Sequence, residues 1–450
     1  MKKIIFCFVF LSSFCFASFL KENVEKYQHE LGDVVWVKDD KFPRFNITIY
    51  FGQGAVLDDQ TSFGTTQATF DLMTAGTKKM NQAAIHDFFD FYGAETSSYV
   101  THEYSQFQFS GLLKDLDPIT AKVCELFKEA SYPGAEIKNH VNKLKSKLNN
   151  LTSNHAALAE RAFRYVLMGQ TPYKYPAEGK LDSLNKINSK NLLSTLKTLK
   201  GSYKRFYLSG PKEIKDSMNL LKSCDFSSGQ KTKHSNIVQT KNSPGIYFLK
   251  APKANQVQIR LGRLLTQDES NKEDTLMSVA ADYLGGGFTA KLMQELRVKR
   301  GLTYSVGAHV SPQASYGRAG ISTFTKNETL GETIQLIQTI LRDSGDPKKL
   351  AKDDVEHVKK YVKGSFPFTF ESLSAFVSQL IVLDHREVGY DGIEKFVKEV
   401  DDINVKNLSN KIESIFNPDQ LVIVLVGDEI VLKQIESLRP VTQLKLEDVL

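Results

Sequence analysis

The run Tyr283 to Val306, YLGGGFTAKLMQELRVKRGLTYSV, decides how this chain is read. Gly285, Gly286 and Gly287 break a preceding helix. Thr289 is placed to cap a new helix that carries Leu292, Leu296 and Arg297. Gly301 ends that helix, and a strand holding Tyr304 is expected from Leu302. A guanidinium and a phenol thus meet at a helix-to-strand corner, where both can donate hydrogen bonds to peptide carbonyls.

Working outward, the same order of elements occurs twice. An alternating strand, FNITIYF at Phe45 to Phe51, runs into Gly52; QVQIRL, with its strand at Val257 to Leu261, runs into Gly262. Helical stretches follow at Thr65 to Thr74 and at Thr275 to Leu284, then a second helix, a strand pair and a further helix. The strand pairs read AETSSYV with YSQFQFSGLL, and TYSVGAHV with GRAGISTFT. Both halves close on a strand, a glycine and an amphipathic stretch, RFYLSGPKEIKDSMNLL and LVIVLVGDEIVLKQIESL. Gly52 to Gly262 is an offset of 210 and Gly210 to Gly427 an offset of 217, near enough to constant to indicate duplication. The expected class is α+β: two homologous α/β-sandwich domains, each a mixed or antiparallel sheet covered by helices. The domains span 18–226 and 244–450, with Ser227 to Ser243 as a polar linker.

Lys2 and Lys3, the apolar run Ile4 to Phe16 and the small Ala17 have the layout of a secretory leader, residues 1–17. No other segment is apolar enough to span a bilayer, so a soluble, exported, periplasmic protein is expected. Losing Lys2 and Lys3 takes the net charge from +6 to +4, with no basic block, which excludes a nucleic-acid-binding class. Two cysteines, Cys124 and Cys224, remain after the leader; a disulfide and two buried thiols are both open.

The pattern LGGG, ELR, GL.YSV resembles the C-terminal signature of the M16 (pitrilysin, or insulinase-like) peptidases, and the resemblance extends over essentially the whole mature chain. It is similar to the short bacterial type with two domains per chain. By that resemblance Arg297 and Tyr304 bind the substrate peptide. The reading without function is a structural ion pair for Arg297 and a core position for Tyr304.

Catalytic members carry HxxEH on a helix of the first domain, two histidines for zinc and a glutamate as general base. Here the segment is GTTQATFDLMTAGT, Gly64 to Thr77. The closing Gly76-Thr77 puts Gln67 and Asp71 at the histidine positions and Phe70 at the base. A later glutamate ligand falls, less securely, at Lys147 in AEIKNHVNKLKSKLNN; neither Asn142 nor Lys145 replaces it. No two histidines stand at i, i+2 or i, i+4, so no metal site is expected in this chain. The stretch Met168 to Ile187 is similar to the family's HPY…G…SL segment, with Gln170-Thr171 departing from it. The resemblance therefore implies a non-catalytic subunit that binds peptide and pairs, clamshell-fashion, with an HxxEH-bearing subunit holding the zinc. The alternative is a peptide-binding or scaffolding envelope protein with no peptidase partner.

Overall fold

A computed structural model describes residues 20–450 except 21, 60, 170, 232, 239–243, 273 and 437. The expected leader, Gln170 and part of the expected linker lie outside the described residues.

The first sheet is built from β1 (Val24–His29), β2 (Gly32–Lys38), β3 (Arg44–Phe51), β4 (Glu95–Val100), β5 (Ser105–Leu112) and β6 (Lys204–Gly210), in the order β1-β2-β6-β3-β5-β4. The second uses β7 (Ile246–Lys250), β8 (Gln256–Leu265), β9 (Val306–Pro312), β10 (Gly317–Lys326), β11 (Val422–Gly427) and β12 (Val441–Leu444), in the order β12-β7-β11-β8-β10-β9. Five of the six positions correspond, and in both sheets one central pair, β2 with β6 and β7 with β11, is parallel. The sixth differs. β1 is an antiparallel hairpin partner of β2, whereas β12 lies parallel to β7. The repeat is therefore architectural, and both sheets are mixed.

The period-2 runs become strands for the reason they suggest. Phe107 and Phe109 of β5 are buried, while Gln106 and Gln108, which alternate with them, are half-buried. In β11 every residue is buried, because the sheet is covered on both faces. Ile423 and Leu425 face a core shared with the helices Asp274–Gly285, Leu330–Gly345 and Val405–Phe416. Val422, Val424 and Val426 face a second cluster built on the helix His155–Met168.

That helix comes from the first half of the sequence. The compact units are consequently not continuous in sequence. One holds the described residues up to Leu148, Tyr175–Lys233 and Leu373–Ile381; the other holds Asn149–Lys174, His234–Ser372 and Val382–Leu450. In the second unit Arg161 donates to the carbonyls of Val449 and Leu450, and Arg260 donates to the Ala156 carbonyl. The described end of the expected linker docks there too, with the Ile237 N–H donating to the Ser315 carbonyl at 3.2 Å.

Two local expectations are corrected. Gly52 follows β3, but Gly262 sits inside β8 opposite Gly320, so the two glycines are not equivalent positions. A Cβ on Gly262 would stand 2.7 Å from the Phe163 ring, and the missing side chain lets the helix His155–Met168 close on the sheet. The amphipathic stretch after Gly427 is a short 3-10 helix, Glu429–Gln434, opened by the Asp428 side chain accepting from the Ile430 N–H.

In the first unit Cys124 and Cys224 form a disulfide, tying the helix Leu116–Glu129 to the residues that follow β6. It settles the alternative left open by cysteine count.

Candidate functional site

In the second unit the glycine run does ordinary steric work. A Cβ on Gly285 would lie 2.2 Å from the backbone nitrogen of Ala308 in β9, so only glycine lets the helix end approach the strand. The chain then turns into a helix that is π-helical over Met293–Val298, with the Lys299 N–H donating to the Gln294 carbonyl. The wider turn carries Arg297. Thr289 does not cap it: its hydroxyl meets His357 Nε2 at 3.1 Å.

Tyr304 is not on a strand, contrary to expectation. β9 begins at Val306, because the Thr303 hydroxyl donates to the Ser305 carbonyl and accepts from the Ser305 N–H, curling the chain out of the ladder. Tyr304 is left 72% exposed and Phe288 60% exposed. The Arg297 guanidinium lies 4.2 Å from the Tyr304 ring centre and 5.3 Å from that of Phe288. Arg297 has no carboxylate partner among the described residues, which removes the structural ion pair, and the exposure of Tyr304 removes the core reading. Phe288 is the member that sequence reasoning missed; its place directly after the glycines was the available signal.

In the first unit the helix Thr65–Asp71 carries the degenerate positions. Its N-terminus is held by Asp58, which accepts from the Gly64 N–H at 2.8 Å, the Thr66 N–H at 2.9 Å and the Thr66 hydroxyl at 2.6 Å. Burial nevertheless pushes the Asp58 carboxyl up to about 6. Phe70 is a core residue, 3% exposed, with its ring 5.6 Å from that of Phe51 in a cluster that includes Phe127 and Phe226. The Gln67 amide donates to Asp71 at 2.7 Å. His140, one of the histidines without a partner in sequence spacing, brings Nε2 to 3.8 Å from Asp71. Burial raises the Asp71 carboxyl and lowers the His140 imidazole from their ordinary values. Lys147 pairs with Glu178 at 3.2 Å.

These residues do not fit zinc at the family's positions. Phe70 offers no donor, Lys147 brings a positive charge, and Asp71 with His140 gives two ligands where zinc sites use three or four. Histidine spacing also failed elsewhere: in the second unit the rings of His234 and His385 lie 4.6 Å apart.

The duplicated six-stranded α+β sandwich, with its Arg–Tyr corner in the second copy, defines a class of two-domain peptidase-like chains. The profile "Insulinase (Peptidase family M16)" matches residues 33–179, and "Peptidase M16 inactive domain" matches residues 202–362. The chain belongs to the M16, insulinase-like peptidase family. It is 19% identical over 400 residues to the "Non-peptidase homolog YmxG" of Helicobacter pylori, covering 88% of this chain and 92% of that one. An "Uncharacterized zinc protease" of Rickettsia bellii is 21% identical over 352 residues, 76% of this chain and 82% of the relative. Among solved structures, the "peptidase M16 inactive domain" from Pseudomonas fluorescens superposes with a TM-score of 0.80 at 20% identity, covering 90% of this chain and 98% of that one. A conserved protein from Enterococcus faecalis gives 0.77 at 15% identity, covering 91% and 99%. Among the described residues no single helix is long and apolar enough to cross a membrane.

Proposed function

We propose that this chain is a non-catalytic M16 homologue that holds a peptide through Arg297 and Tyr304 and completes the active site of an HxxEH-bearing partner. The observation that carries the reading is a contrast within one chain. Phe70 is built into the core where a general base would stand, while Tyr304 is exposed and the half-buried Arg297 has no ion-pair partner among the described residues. A guanidinium and a phenol can stabilise charge on a carbonyl oxygen without belonging to the chain that holds the metal. The name of the Helicobacter pylori relative agrees with a loss of peptidase activity. A periplasmic setting is part of the proposal, supported by the leader-like N-terminus and by the Cys124–Cys224 disulfide, since such bonds persist in oxidising compartments.

The test is a pull-down of the tagged chain from its native envelope fraction, followed by a peptide-cleavage assay. A partner of similar size bearing HxxEH, cleavage that needs both chains, and at least a tenfold loss with Arg297→Ala or Tyr304→Ala are expected. Recovery of unrelated partners, with no zinc peptidase depending on the chain, would favour a peptide-binding or scaffolding role instead. Chelator-resistant cleavage by the chain alone would overturn both.

A further inference from the structure

The second unit holds a cleft of about 230 Å³ beside the glycine run, lined by residues that include Asp282, Gly287, Lys291, Glu295, Asp354 and Tyr361. Arg297 does not line it. Most of its charges are already neutralised. Lys291 lies 3.4 Å from Asp354, and Lys299 lies 2.7 Å from Glu295. His357 is engaged with Thr289.

Asp282 is the exception. Its carboxylate accepts no hydrogen bond and meets no cation among the described residues, although it is half-buried. It packs against Gly286, where a Cβ would stand 2.4 Å from Oδ1. The Tyr361 hydroxyl donates to the Gly286 carbonyl at 2.5 Å, which fixes the phenol ring beside the same backbone. A Cβ on Gly287 would come within 3.2 Å of that hydroxyl, so the glycine keeps the mouth open. One unpaired carboxylate beside an aromatic ring, in a small cleft whose other charges cancel, is complementary to a single positive charge on an alkyl stem. A divalent ion would need more oxygen donors than one free carboxylate supplies.

We propose that this cleft binds a primary alkylammonium group, with Asp282 as its counter-ion and Tyr361 as its aromatic wall. The ammonium can belong to a lysine side chain of a bound polypeptide or to a free polyamine. Burial pushes the Asp282 carboxyl up to about 6, as expected for a carboxylate lacking its cation. Neither Arg297 nor Tyr304 lines the cleft, so the proposal does not rest on their peptide-holding role.

Calorimetric titration of the full chain with Nα-acetyl-lysine methylamide, with spermidine and with the uncharged Nα-acetyl-norleucine methylamide tests it. The two ammonium probes should bind and the norleucine compound should not. The tighter of the two identifies the source. Asp282→Asn, which keeps the shape, should weaken the ammonium probes at least tenfold. Gly287→Val, which narrows the mouth, should do the same and serves if the first variant fails to fold. Peptide capture through Arg297 should survive both, so failure here is distinguishable from failure of the subunit reading. Absence of binding at millimolar ammonium, equal binding of norleucine, or unchanged affinity in a folded variant overturns the proposal.

Discussion

Arg297 is a cation held by rings, with no acid paired to it among the described residues. A cation–π pair that is only partly exposed contributes about 1 kcal/mol to stability, so replacing Arg297 or Tyr304 should shift the unfolding midpoint only slightly while removing the peptide binding proposed for them. A large loss of stability would mean that the pair is structural. Asp58 gives a pH prediction. Folded, it keeps its proton to about 6; unfolded, an aspartic acid releases it near ~3.9. Between those values the native state binds the extra proton, so this group's contribution to stability is full below that window and is lost as pH rises through it. Urea midpoints at pH 4.5 and 6.5 should therefore differ less in Asp58→Asn than in the native chain; an unchanged slope would refute the assignment. At this scale the sequence was partly legible. The motif positions of Arg297 and Tyr304 could be read directly. The partnership of Asp71 with His140 could not, because it joins two helices distant in sequence. The departure of Tyr304 from the strand depends on hydrogen bonds from Thr303, and propensity does not report these.

Strands were the most readable elements, since alternation such as Phe107 and Phe109 around polar residues is a direct record of one buried face. The short 3-10 helix after Gly427 was less readable, because side-chain caps decide where such turns stop. Cysteine count left the pairing of Cys124 and Cys224 open, and only the meeting of a helix with the segment after β6 resolves it. Their bond closes a loop with a sequence separation of 100. Closing a loop of that length stabilises the fold by about 4–5 kcal/mol in the chain-entropy account. Replacing both cysteines by alanine should lower the urea-derived stability by that order; a change below about 1 kcal/mol would show that the unfolded chain is already constrained.

At the scale of the whole molecule the duplication was visible in sequence, yet the assignment of chain segments to compact units was not. The helix His155–Met168 looks like any amphipathic helix of the first half, but its apolar face meets Val422, Val424 and Val426. Residues 244–450 produced alone would expose those valines together with Leu249 and Leu264, all buried in the full chain. That fragment should be insoluble, or soluble only as a dye-binding, poorly dispersed species. A cooperative unfolding transition from the fragment would contradict this. The same helix bears on how such a chain can change over evolutionary time. A first half without the HxxEH pattern is not dispensable baggage, because deleting it would strip the second sheet of one of its covering layers. Selection for folding alone is enough to retain that helix, whatever chemistry the rest of the first half carries out.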